Sequence, residues 1–253
     1  MHRVVEGIVL RETDTKETDK ILTVLTRSEG KLSVIARGAR RKNSRIAAAA
    51  QLLVCSEMTL FQKGNWSILD DASTIELFSG VRQDVELLAL GSYFAEMTEL
   101  LTEEDVPAPE TLSLLLNALY ALGTLHKDQT QVKAAFELRL LALSGFEPLL
   151  ESCAVCGRTE PEEPLLDVVQ GVLHCKHCAL GGQKGLSMPL CSGSLEAMRY
   201  VLRCAPKRLY SFSADAAAMG RMADAAEAFA AAQLERGFRS LDFYKRIHIY
   251  DTL

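Results

Sequence analysis

Apolar positions recur with two different periods along this chain, and the change falls near residue 80. Before it, short runs rich in β-branched residues alternate with polar ones, which predicts strands. Residues 4–10 form the first run and contain Gly7, a candidate bulge or barrel bend. Residues 20–26 form the second, and Ser28-Glu29-Gly30 connects it tightly to an alternating third at 31–36. Residues 52–61 and 66–78 complete the set, joined by a Lys63-Gly64-Asn65 turn. Five short strands in some eighty residues suggest a small barrel, for which the OB-fold is the commonest solution. Segment 37–45 falls between the third and fourth runs, where such a barrel carries a helix or long loop.

From about residue 81 the period is helical. Apolar residues at Val85, Leu88, Phe94, Met97 and Leu101 predict a helix over 84–102, ended by Glu103-Glu104-Asp105-Val106-Pro107. Helices follow at 109–126 and 131–144, the latter closed by Gly145 and Pro148. Residues 192–203 read as another. An alanine-rich helix over 213–236, with Ser213 as N-cap and Gly237 just past its end, should lie against a helix from 84–144.

Between these helical stretches Cys153, Cys156, Cys175 and Cys178 form Cys-x2-Cys-x18-Cys-x2-Cys, the spacing of a tetrahedral zinc site. Gly157 follows the first pair, where a chain curling around a metal needs a residue without Cβ. Leu165 to Val169 and Val172-Leu173 flank Gln170-Gly171, a hairpin that would return the second pair to the first. Four thiolates close the coordination sphere, so the zinc, one per chain, is read as structural. His177 beside the second pair is an alternative ligand, and a redox dithiol is the rival chemistry.

The 253 residues are 48% hydrophobic and 24% charged, the profile of an ordinary folded protein. No apolar run approaches the ~18 residues of a membrane span, no signal-like stretch opens the chain, and seven cysteines are an odd number; together these suggest a reducing, cytoplasmic setting. Cys55, Cys191 and Cys204 are read as small core residues. The net charge of −5 disguises an asymmetry, because residues 1–80 carry +2 and the rest −7. Residues 30–56 hold Lys31, Arg37, Arg40, Arg41, Lys42 and Arg45 with no acid, a patch suited to phosphate contact by counterion release. Trp66, the single tryptophan, is either a stacking surface for a base or a barrel-end core residue.

Enzymatic signatures are missing. There is no phosphate-binding loop, HExxH, GxSxG or dinucleotide fingerprint. Asp70-Asp71 and Glu103-Glu104-Asp105 read as solvated caps, and His126 and His248 have no identifiable nucleophile or acid partner. On the helix at 131–144, Val132, Phe136, Leu140 and Leu143 share a face bordered by Lys133 and Arg139. That face is either core or an apolar groove with a cationic rim for an acidic, aromatic-tipped peptide, held by Lys133, Phe136, Arg139 and Leu140.

Several motifs resemble, in order and spacing, the bacterial RecO recombination-mediator family. They are Gly7-Ile8-Val9-Leu10-Arg11, Thr18-Asp19-Lys20-Ile21-Leu22-Thr23, Gly30-Lys31-Leu32 and Ala36-Arg37-Gly38-Ala39-Arg40-Arg41. Phe136-Glu137-Leu138-Arg139-Leu140-Leu141 with Gly145 and Pro148, the Cys153/Cys156 pair and Leu241-Asp242-Phe243 follow. The resemblance implies binding of single- and double-stranded DNA, strand annealing, and partnership with RecR. With RecR, such proteins help RecA displace single-strand-binding protein (SSB), whose tail is acidic and ends in phenylalanine. One departure touches the tail site: some relatives carry two basic residues where this chain has Ala134-Ala135.

The reading is therefore an α+β protein, an N-terminal five-stranded OB-fold barrel followed by a helical domain with an inserted four-cysteine zinc ribbon. Its segments are a DNA-binding barrel at 1–80, helices at 81–149, the ribbon at 150–188 and further helices at 189–253. The chain is expected to be a monomer on its own, nucleoid-associated during repair, and not an enzyme. A zinc-dithiol oxidoreductase and a zinc-stabilised interaction scaffold are the alternatives from other classes.

Overall fold

The computed structural model describes residues 2–64, 66–179 and 186–251. The alternating runs become β1 (His2–Thr15), β2 (Asp19–Thr26), β3 (Gly30–Ala36), β4 (Cys55–Lys63) and β5 (Trp66–Glu76). Asn65, the last residue of the expected turn between β4 and β5, lies outside the described residues. The strands close into a barrel in the order β1-β2-β3-β5-β4, with β3 and β5 parallel and the other pairs antiparallel. This is the five-stranded barrel the alternation predicts, of OB type. The first strand is longer than expected because it serves two neighbours, pairing residues 2–8 with β4 and much of 7–15 with β2. It turns its corner at Gly7, where a Cβ would fall 2.7 Å from the Leu25 carbonyl oxygen. The register shift itself lies between Val9 and Arg11, so Gly7 is the bend and not the bulge.

Inward positions of all five strands, among them Val5, Val9, Leu22, Val34, Met58, Leu60 and Leu69, make one apolar core. The segment between β3 and β4 adds Ala39, Ile46 and Ala50 to it. That segment is a chain of turns, with Arg41 N donating to Gly38 O (3.0 Å), Ser44 N to Arg41 O (3.1 Å) and Ala50 N to Ile46 O (3.0 Å).

Two compact units divide the chain, Met1–Leu125 with Phe238–Leu253, and His126–Gly237. In the first, the barrel is followed by α1 (Ser79–Arg82), α2 (Val85–Leu101) and α3 (Pro109–Gly123). Helix α2 matches its expected span because Asp84 caps it, accepting from the N–H groups of Glu86 and Leu87. In the second unit, α4 (Gln129–Leu143) begins two residues earlier than expected, capped by the Asp128 carboxylate. Strands β6 (Pro164–Asp167) and β7 (Val172–Cys175) form the anticipated hairpin around Gly171. A short helix α5 (Lys176–Ala179) follows, and β8 (Ser187–Pro189), which alternation over three residues could not reveal, pairs with β6.

Helix α6 (Ser192–Arg203) fills its expected span, and α7 runs Ala216–Leu234. The expected 213–236 was too long at both ends. Asp215, not Ser213, accepts from the Ala218 N–H, and Glu235 takes the left-handed conformation (φ 50°) that stops the helix before Gly237. Helix α7 packs against α4 and α6 through Ala218, Met222, Ala225, Ala226, Phe229 and Ala230. Finally α8 (Arg239–Asp251), in a segment expected to be helical but given no span of its own, belongs to the first unit and packs on α2. There His248 meets the Glu86 carboxylate, an acid partner too distant in sequence to be seen. No helix among the described residues is long and apolar enough to cross a membrane.

Candidate functional site

The turns after β3 are what aim the basic residues. Ala39, Ile46 and Ala50 are held in the barrel core, which forces the intervening cations outward. Arg37, Arg41 and Arg45, four residues apart, line one side of an open cleft of about 620 Å³. Gly38 makes this possible. Its φ of +66° turns the chain in a conformation that favours glycine, and a Cβ there would crowd the Arg41 side chain, 3.2 Å from both its Cδ and Nε. Asp19 secures the same turn by accepting from the Gly38 N–H at 2.8 Å. That hydrogen bond, with Thr18 and the charges of Lys16 and Arg37, outweighs desolvation and holds the Asp19 carboxyl below the usual carboxylate range.

The opposite side of the cleft comes from the β4–β5 hairpin and supplies two residues that sequence reasoning missed. Lys63 adds a fourth cation, and Phe61 an exposed ring. Alternation carries the signal for Phe61, since Met58 and Leu60 are buried in the barrel while Phe61 faces out. The ring of His2 lies against it, 5.1 Å between centroids. Among the described residues lining the cleft Asp70 is the one carboxylate, and its oxygen is 3.5 Å from His2 Nε2.

The remaining candidates are placed elsewhere. Arg40 is turned to the β1–β2 hairpin, with Nε 3.3 Å from the Asp14 carboxylate and a guanidinium N–H donating to the Glu17 carbonyl. Lys31 donates to the Glu99 carbonyl at 2.7 Å, satisfying one of the last carbonyls of α2, so it caps a helix. Lys42 is exposed on the same turns but does not line the cleft. Trp66 is 53% exposed at the start of β5, which excludes the core reading and leaves it outside the cleft lining.

In the second unit, the hairpin and the two Cys pairs bring four sulfurs within 4.8 Å of one another. Cys175 Sγ lies 3.9 Å from both Cys153 Sγ and Cys156 Sγ. A zinc tetrahedron with bonds of about 2.3 Å has edges of about 3.8 Å, whereas a disulfide would need about 2.05 Å. The residues therefore fit a divalent metal. Burial opposes ionisation of Cys153, but the N–H groups of Cys156, Cys175 and Val155 overcome it and bring the thiol down to about 5. Cys178, paired with the Cys175 sulfur, desolvated and set against Cys153, is pushed up to about 12. A metal ion would displace the protons these sulfurs share. His177 is exposed and outside the converging set.

The candidate peptide groove on α4 is not a groove. Phe136 and Leu140 have no exposed surface. Lys133 is buried too, its Nζ 2.8 Å from the carboxylates of both Glu137 and Glu227. Desolvation opposes its charge, but the two carboxylates prevail and hold its pKa above the ordinary lysine value. Arg139 donates to the Cys204 carbonyl at 2.6 Å. A helix buried on most sides turns Lys133, Phe136 and Leu140 to the interior and leaves Arg139 half-buried, as an apolar count that includes Leu138 and Leu141 implies.

Comparison with known proteins agrees with this architecture. A family model described as recombination protein O N terminal matches residues 1–78, and one described as recombination protein O C terminal matches 82–242. The chain is 30% identical over 241 residues to the DNA repair protein RecO of Acetivibrio thermocellus, covering 95% of each. It is 32% identical over 243 residues to that of Symbiobacterium thermophilum, covering 94% of this chain and 95% of the relative. With the DNA repair protein RecO of Listeria monocytogenes serotype 4b the identity is 34% over 175 residues, or 68% and 67% of the two chains. None of these names carries a catalytic activity. A barrel, a helical region and a cysteine cluster in this order, matched by both family models across nearly the whole length, establish that the chain belongs to the RecO family of DNA repair proteins.

Proposed function

We propose that this chain is a non-enzymatic repair mediator that binds single- and double-stranded DNA in the barrel cleft and anneals complementary strands. With RecR, it would help load RecA onto SSB-coated single-stranded DNA in the bacterial cytoplasm. The observation that carries the reading is the convergence of Arg37, Arg41, Arg45 and Lys63 on one cleft beside the exposed Phe61 ring. Guanidinium and ammonium groups neutralise phosphates and release counterions, while an aromatic face stacks on a base without regard to sequence. Annealing follows from screening two phosphate chains held close together; no bond is made or broken. Zinc on Cys153, Cys156, Cys175 and Cys178 is structural, four thiolates leaving no position for substrate.

The low pKa of Cys153 is the one feature that favours a dithiol oxidoreductase. The residue is only 1% exposed, however, and a reactive thiol must be reached by its partner. Rapid alkylation of Cys153 in the metal-free protein is the result that would reinstate that reading. The decisive test is an annealing assay with SSB-coated complementary strands, with and without RecR. Acceleration that disappears in an Arg37/Arg41/Arg45 alanine variant supports the proposal. No acceleration by the folded wild type refutes it.

A further inference from the structure

The loop that carries Cys153 and Cys156 is pinned from outside itself. Arg199, on α6, is 7% exposed and spends its guanidinium on that loop's two ends. Its Nε donates to the Leu150 carbonyl at 2.9 Å, and one terminal nitrogen donates to the Glu151 carbonyl at 3.0 Å. The same nitrogen donates to the Thr159 carbonyl at 2.6 Å, beyond the second cysteine. The other terminal nitrogen meets the carboxylates of Glu196 at 2.6 Å and Glu160 at 3.2 Å. Inside the bracket the loop closes on itself, with Cys153 N donating to the Arg158 carbonyl and Gly157 N to the Cys153 carbonyl, both at 2.9 Å.

We propose that Arg199 is a positioning residue for the metal centre, its planar fork joining the two ends of the first cysteine loop so that both sulfurs are already in place when a metal arrives. The proposal rests on the reading that the four thiolates hold zinc. Its physical basis is entropic: a loop ordered before binding loses less freedom when the ion arrives, and outer contacts that orient metal ligands raise affinity. The carbonyl bonds matter more than the ion pairs, because the Glu160 and Glu196 side chains are 76% and 62% exposed. Lysine keeps the charge but cannot present the fork, so the two contributions separate.

The test uses the whole chain. Metal analysis of the wild type comes first: absence of stoichiometric zinc removes the zinc reading itself, and this proposal with it. With zinc present, competition against a chromogenic chelator should show R199K binding zinc about 10–100-fold more weakly, the usual cost of losing such a partner. An E160Q/E196Q variant should stay within about twofold of wild type, since exposed ion pairs contribute little. Melting of loaded and metal-free forms should show the zinc-induced gap narrowing in R199K. Unchanged zinc affinity in R199K, or an equal drop in both forms that leaves the gap intact, overturns the proposal and leaves Arg199 an ordinary brace. Should R199K not fold, hydrogen exchange at Arg199 Nε–H in the wild type decides: protection that survives chelation supports a loop ordered before the metal, and protection lost on chelation overturns it.

Discussion

The cleft makes a quantitative prediction about salt. Six basic residues between 30 and 56 would, if all touched phosphate of a single strand, give a slope of log K against log salt of about −4.2. The structure reduces that number. Lys31 caps a helix, Arg40 faces Asp14, and Lys42 lies outside the cleft, while Lys63 joins Arg37, Arg41 and Arg45 inside it. Four contacts at about −0.7 each on a single strand give a slope of about −2.8, or roughly a fifty-fold loss of affinity between 50 and 200 mM salt. Fluorescence anisotropy with a labelled random oligonucleotide across that range measures it directly. Each of R37A, R41A, R45A and K63A should flatten the slope by about 0.7, whereas K31A and R40A should leave it unchanged within error. A steeper slope, near −4, that falls on removing Lys31 and Arg40 would show that the bound path runs over the other face of the turns, and the cleft assignment would be wrong.

Other outcomes follow from the same geometry. D70N removes the Asp70 carboxylate from the cleft, so DNA affinity should rise at low salt by an amount worth about 1 kcal/mol or less and converge with wild type at high salt; a decrease would show Asp70 to be a contact residue. F61A should weaken single-strand binding by about 1–3 kcal/mol with the salt slope preserved, because stacking is lost and no phosphate contact is. The Asp19 carboxyl has a depressed pKa, so its support of the Gly38 turn is complete above the unfolded value of about 3.9 and lost as pH falls through the lower folded value. A carboxyl NMR titration should follow that sign, and a D19A protein should lack this acid limb; a midpoint at or above the unfolded value contradicts it. F136A, at a site with no exposed surface, should cost about 3–5 kcal/mol in denaturant unfolding, and a near-neutral result would return Phe136 to the surface.

Much of the fold was readable because its signals are local. Period-two alternation needs only the strand itself, and Asp84 announces α2 within three residues, whereas the cap at Asp128 went unread and the start of α4 was placed two residues late. What escaped depended on partners far along the chain. Strand β8 is three residues long and exists because β6 offers it an edge. Helix α8 is stabilised by α2, through Glu86 and the edge-on packing of Phe238 against Tyr93. The start of α7 turned on which of two capping residues, Ser213 or Asp215, could reach an open N–H, a matter of position along the helix that composition does not fix.

The candidate site divides along the same line. Four cysteines at metal spacing carry their geometry with them, because the hairpin between the pairs dictates that the sulfurs meet. A run of cations carries only charge. Whether each faces phosphate or a neighbour depends on which residues of the run are drawn into the core, and here Ala39, Ile46 and Ala50 decide it. Burial of Ala39, Ile46 and Ala50 exposes the cations around them, while the Asp14 carboxylate, far off in sequence, draws Arg40 away from Arg37, Arg41 and Arg45. The same reasoning applies to α4 in reverse: a helix with apolar residues around most of its circumference has no free flank, so Lys133 is buried and finds Glu137 and Glu227 instead of a peptide. Charge identifies a chemistry, and the apolar residues beside it determine which groups can reach it.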